Sequence, residues 1–115
     1  MSLTKGDIVL APFPFTDLQQ TKVRPAVVIW TDSSNQDVTI CFISSQNLSN
    51  LGVGEFVIDS SDPEFAGTGL KVTSKIRVTR IVTLERRLIT RRLGKLGRNQ
   101  IRQLNAAMIQ AFQLS

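Results

Sequence analysis

The chain contains no histidine and no tyrosine, and Cys41 is its only cysteine. Without histidine there is no histidine-pair ribonuclease chemistry, no Cys/His or Ser/His nucleophile system, and almost no route to a zinc site. A single cysteine cannot form an internal disulfide, which fits a reducing cytoplasm. No apolar run approaches the ~18 residues that a membrane-spanning helix requires, so no membrane partner is expected. The opening residues MSLTKGDIVLAPF carry one lysine and a short apolar stretch cut by proline, so a signal peptide is not expected either. Acidic residues run out along the chain, and Glu85 is the only one after residue 70.

What is present fits one globular domain spanning residues 1–115. The apolar fraction is 42%, and glycine added to it reaches the ordinary globular range. Charge is divided unevenly. Residues 1–70 hold Lys5, Lys22 and Arg24 against eight acidic residues, whereas residues 71–115 hold eleven basic residues against one. Basic side chains concentrated in this way build a surface that gathers a polyanion, and nucleic acid is the commonest such partner. A solvated basic face without a partner is the alternative. If the chain is an enzyme, arginine, serine, threonine and carboxylates must act without a cofactor or a metal.

The pattern predicts β-strands followed by one helix. Ile8 to Ala11 forms a short β-prone run that Pro12 and Pro14 interrupt. Pro25 opens the densest apolar run, Ala26 to Trp30, whose β-branched residues predict a buried central strand. A turn cluster from Thr31 to Asp37 leads to a second buried strand, Val38 to Ile43, and the two pair as a hairpin. Loops are expected at 44–54 and 60–69, with a short strand at Glu55 to Asp59 between them. From Ser74, apolar and polar residues alternate until the pattern slips at Arg80, which indicates a bulge or a strand end. Leu88 to Leu96 is ambiguous, with a short edge strand as one reading. Ile101, Leu104, Met108, Ala111 and Phe112 repeat at helical spacing, with Gly97 or Asn99 at the start. Five or six short strands and one packed C-terminal helix make a mainly β (α+β) fold, a small barrel or strongly curled sheet.

Three places could carry chemistry. Arg24 sits where a loop enters a buried strand, and its planar fork of donors suits a phosphate. Simple pairing with Asp17 or Asp7 is the competing explanation. Ser44, Ser45 and Gln46 follow a strand and offer hydroxyls and an amide to phosphate oxygens or a ribose, unless they merely cap a turn. Lys75, Arg77 and Thr79 share one strand face, which is either a ligand surface or a solvated one.

In order and spacing these blocks resemble the MazF/PemK toxin family, in particular its PemK-like branch. That branch opens with a Gly-Asp-Ile-Val strand, a Phe-Pro-Phe-Thr-Asp loop and a basic-x-Arg-Pro turn, matched here by Gly6 to Val9, Phe13 to Asp17 and Lys22 to Pro25. The hydroxyl pair closing the family's next strand is matched by Ser44 and Ser45. Its later segment is matched by Ser74, by Ile76 and Arg77, and by Val82-Thr83-Leu84-Glu85. Leu93 to Leu96 then leads into the closing helix. The resemblance covers nearly the whole chain from Lys5 onward.

The resemblance implies an SH3-like barrel with a C-terminal helix, acting as a cytoplasmic homodimer that cleaves single-stranded RNA without metal. It also implies a cognate antitoxin whose acidic tail occupies the RNA groove, and contact with operator DNA only through the antitoxin complex. By position it makes Arg24, Ser44 and Arg77 catalytic, with Ser45, Gln46, Ser74, Lys75, Thr79 and Lys22 binding RNA. Cleavage through the substrate's own 2′-hydroxyl needs no enzyme nucleophile, only a base, charge stabilisation and a proton for the leaving oxygen. Some members place an aspartate two residues after the strand arginine as that base. Thr79 stands there in this chain, and Asp17 is the replacement candidate. Two other functions remain open: a non-catalytic toxin of the same fold that binds a protein target such as gyrase, and a plain nucleic-acid-binding barrel.

Overall fold

Valine and isoleucine are stiff at χ1 and pack well on a pleated surface, and they dominate the two strands at the centre of the molecule. The structure, a computed structural model, describes residues 2–14 and 22–114. Strands β1 (Asp7–Phe13), β2 (Lys22–Thr31), β3 (Asp37–Ser44), β4 (Glu55–Ile58), β5 (Ser74–Glu85) and β6 (Arg91–Lys95) precede helix α1 (Arg98–Phe112). They form one antiparallel sheet in the order β4-β5-β3-β2-β1-β6. The sheet curls into a small SH3-like barrel that stays open between its edge strands β4 and β6.

Alternation along the strands divides the interior into two cores. Val28, Ile40 and Phe42 fill one together with Leu3, Val9 and Ala26. Val27, Cys41 and Ile43 fill the other, and α1 packs there through Leu104, with Ile101, Met108 and Ala111 around it. Phe112 continues the helical stripe but lies in the last turn, 40% exposed. Burial pushes the Cys41 thiol up to about 12, so it is an inert core residue.

The sequence pattern holds with two differences. Pro12 does not end β1, which runs on to Phe13 with Pro12 opposite Val23. Strand β6 flanks β1 only as far as Leu10, so beyond it a proline can face an open edge without losing a ladder bond. Strand β2 begins at Lys22, three residues before Pro25, for the same reason: β3 pairs only from Ala26 onward. The ambiguous 88–96 stretch holds a 3₁₀ turn and then the edge strand β6. The slip at Arg80 is a bulge. Phe42 faces Arg77 while Cys41 faces Ile81, so Val78, Thr79 and Arg80 are extra on β5.

The connection 59–73 spans the open side of the barrel. It crosses to β6, where Gly69 adopts φ +74° and a Cβ on it would lie 2.2 Å from the Leu93 carbonyl oxygen. No L side chain fits there. The same connection caps α1. Glu64 accepts from the Asn99 and Gln100 backbone N–H groups at 3.1 and 3.0 Å, supplying the acceptor that the N-cap residue Gly97 lacks. A Cβ on Gly97 would meet Glu64 Cδ at 2.3 Å.

The arrangement generates a coupled prediction. Glu64→Ala should cost about 1–2 kcal/mol through the lost cap. Gly97→Ala should cost a similar amount by displacing the Glu64 carboxylate, yet almost nothing further in a Glu64→Ala background. Thermal melts of the single and double variants read this directly, and additive losses would show that the two residues act independently.

Candidate active-site groove

The inner face of the sheet runs out of apolar side chains at one end, and the groove begins there. Along β2 that face carries Val28, Ala26 and then Arg24. Along β3 it carries Ile40, Phe42 and then Ser44. Register places Arg77 opposite Phe42 and Lys75 opposite Ser44. A groove of about 700 Å³ opens over these positions. Phe13, Pro25 and Phe42 line its apolar part. Leu70, Lys71 and Val72 from the connection, with Arg91 and Leu93 from β6, form the facing wall. Among the described residues no carboxylate lines it.

Arg24 is exposed, and its guanidinium lies 6.0 Å from the centroid of the Phe13 ring, a cation–π distance. Asp7 does not pair with it. That carboxylate lies 3.3 Å from Arg92 Nε and accepts from the Thr4 N–H. Among the described residues Arg24 has no hydrogen bond or ion pair, so its donors remain available to a ligand. Ser44 Oγ accepts from the Gln46 N–H at 3.0 Å, which caps the turn as a serine there should, and its own proton stays free to donate. Ser45, Gln46 and Asn47 continue along the lip. Ser74 is buried and donates to the Val72 carbonyl, fixing the start of β5.

Arg77 is tied rather than solvated. Glu55 faces it across the β4–β5 ladder, and Glu55 Oε2 lies 3.0 Å from Arg77 Nε. Glu55 Oε1 takes Lys75 Nζ at 3.0 Å and the Gly52 N–H at 2.8 Å. Lys75 is 7% exposed at its side chain and gives its remaining donors to the Asn47 and Asn50 carbonyls. An ammonium has three donors, and all three are committed. Lys75 therefore holds the 45–54 loop against β5 instead of reaching a ligand. Burial raises the Glu55 pKa, but the Gly52 N–H, Lys75 and Arg77 together outweigh it and hold the carboxyl at about 2.

Of the residues read from the sequence, Arg24, Ser44, Ser45, Gln46, Ser74, Lys75 and Arg77 gather at the groove. Thr79 and Lys22 do not line it. Thr79 falls in the β5 bulge, which breaks the alternation that would have carried it beside Arg77. Lys22 lies at the far end of β2, opposite Phe13. Asp17 lies outside the described residues. Glu55, Lys71, Asn47 and Arg91 are additional. Strand register alone reveals Glu55, while Lys71 and Arg91 arrive through the connection that closes the barrel. Among the described residues no group of His, Cys, Asp and Glu could hold a metal, and no helix is long and apolar enough to cross a membrane.

Solved structures share this fold. An endoribonuclease in complex with its cognate antitoxin, from a mycobacterial species, superposes with a TM-score of 0.75 at 15% identity, covering 99% of this chain and 98% of that one. The Mycobacterium tuberculosis toxin MazF-mt6 gives 0.72 at 22% identity, with coverage of 95% and 98%. Another mycobacterial endoribonuclease gives 0.71 at 16%, with coverage of 98% and 93%. Among curated proteins none is significantly similar to the chain. Residues 4–112 match the family described as the PemK-like, MazF-like toxin of type II toxin-antitoxin systems, and the chain belongs to that family.

Proposed function

We propose that this toxin is an endoribonuclease that cleaves single-stranded RNA in the cytoplasm, using the substrate's own 2′-hydroxyl and no metal. The observation that carries this reading is the groove itself, where Arg24, Lys71, Arg77 and Arg91 converge and no carboxylate lines the described wall. Such a groove attracts a phosphodiester backbone, and its apolar part can receive a base. The relatives called endoribonucleases share the fold that builds it.

Arg24 and Arg77 supply charge where the phosphorane develops, and Ser44 donates a hydrogen bond from the opposite strand end. The base that takes the 2′-proton is assigned to Asp17, the carboxylate nearest Arg24 in sequence. Sequence selectivity would come from the lip at Ser45, Gln46 and Asn47, whose side chains can meet base edges. A cognate antitoxin is the natural partner, and an acidic segment on it would fit the groove, with operator DNA met only through that complex. The sheet also presents an exposed row, headed by Trp30, beyond the part that α1 covers. Trp30 faces Thr39, Thr39 Oγ1 meets Thr83 Oγ1 at 2.6 Å, and Trp30 is 51% exposed. A second copy of the chain is its proposed cover, which makes the protein a homodimer.

Three outcomes follow. Cleavage of mixed-sequence RNA should persist in EDTA and leave a 2′,3′-cyclic phosphate or its hydrolysis product, and 2′-deoxyribose at the cut position should block it. Efficient cutting of the deoxy substrate would refute the mechanism. Arg24→Ala and Arg77→Ala should each lower single-turnover cleavage by about 100- to 1000-fold, while costing roughly 1 kcal/mol or less of stability. Lys95→Ala, outside the groove, is the control and should weaken binding only mildly. Equal cleavage by all three would move the active site elsewhere. In sedimentation the protein should run at twice the chain mass of 12.7 kDa, and Trp30→Glu should shift it to the monomer. A wild-type monomer would remove the dimer.

A further inference from the structure

Among the described residues Arg77 is the only groove arginine whose guanidinium is held by an ion pair while part of it still faces the ligand space. Glu55 takes its Nε, and among the described residues Nη1 and Nη2 have no partner. The side chain is 27% exposed, against 11% for Glu55, so the contact is shielded at one end and open at the other. The Glu55 carboxylate is fixed in turn by the Gly52 N–H and Lys75, and Lys75 is fixed by two loop carbonyls. Nothing in this chain of contacts is left to swing.

From this geometry we infer that Glu55 is a positioning residue for the cleavage reaction: it holds Arg77 by Nε so that the two terminal nitrogens present a fixed fork to the phosphate. The inference rests on the ribonuclease reading of the groove. An unrestrained arginine loses rotamer entropy when it docks on a ligand, whereas a guanidinium already aligned loses less. Pre-alignment matters most where charge grows at the phosphorane, because a donor that must first reorganise contributes less there. The same carboxylate ties the 45–54 loop to β5, so the lip bearing Ser45, Gln46 and Asn47 is referenced to the arginine it works beside. Glu55 does not act as the base. Both of its oxygens are engaged, and its low pKa leaves it little affinity for a proton.

Glu55→Gln is the discriminating variant. One amide oxygen can still accept from the Gly52 N–H and Lys75, while the amide nitrogen would set a donor against Arg77 Nε–H. Single-turnover kcat should fall about 10- to 100-fold, with KM changing less than about 3-fold. In an Arg77→Ala background the same change should have almost no further effect on kcat. A merely structural role predicts that the two losses multiply, and that result, or a fully active Glu55→Gln, overturns the proposal. The Arg77 Nε–Hε resonance gives a readout that needs no RNA. It should be protected from solvent exchange in wild type and lose that protection in Glu55→Gln, and retained protection also overturns the proposal. If wild-type protein cuts no RNA, the ribonuclease reading fails and positioning fails with it. The resonance then shows whether the geometry or the reaction was misread.

Discussion

A pleated strand presents only every second residue to one face, and in this chain a single face must both fill a core and hold a charged ligand site. It does so by changing residue type along the strand. Val28 and Ala26 are buried, and the next position on that face, Arg24, is exposed. Ile40 and Phe42 are buried, and the next position is Ser44. The groove is therefore the end of the core, with polar groups at the positions where apolar packing stops. This makes Arg24 rigid at its root, since it stands one alternation away from the fully buried Ala26. It also explains the bulge on β5. Were Val78, Thr79 and Arg80 kept in the ladder, unbroken alternation from Arg77 would turn Val82 and Leu84 away from the first core.

Holding cations at the end of an apolar face has an electrostatic consequence. Two of them, Lys75 and Arg77, lie on neighbouring positions of one face and would repel each other if left alone. Glu55 lies opposite one and diagonal to the other, the closest cross-strand geometry for a bridging charge. The linkage has a definite sign. The carboxyl falls from its ordinary value of 4.5 to about 2 on folding, so its contribution is complete above pH 4.5 and is lost as pH falls through 2. The bridge therefore stays intact around neutral pH, and pH does not switch it there.

The sheet was legible because its signals are local. The apolar run from Ala26, the turn cluster from Thr31 to Asp37 and the alternation from Ser74 each follow from neighbours in sequence, and the strands formed there. Arg24, Ser44 and Arg77 came together because strand ends and family-like spacing mark them. The rest depends on register and closure. Glu55 is an ordinary strand-opening acid until β4 pairs with β5. Thr79 shares a face with Arg77 only if the strand has no bulge, and it has one. Lys71 and Arg91 become groove residues because the 59–73 connection crosses to β6, a path set by Gly69 against Leu93 and by Glu64 at the helix N-terminus. Lys75 reads as a free cation in sequence and proves to be a structural one, since the carbonyls that use its donors lie 25 and 28 residues away.

The absence of histidine limits how such a groove can be controlled. Its charge comes from arginine and lysine side chains. Histidine, the side chain whose ordinary pKa lies between pH 5 and 8, is absent from the whole sequence, so that switch is not built in. Control must come from occupancy. An occupant that neutralises Arg24 and Arg77 has to present anionic groups at the spacing of the RNA phosphates it replaces, and it gains most where the groove is already arranged to accept them. On the proposed ribonuclease reading, with the Arg77 fork fixed in advance by Glu55, substrate and inhibitor would meet the same pre-formed site. An acidic protein segment would then compete with RNA directly, and the strength of inhibition would depend on how many of these cations it engages at once.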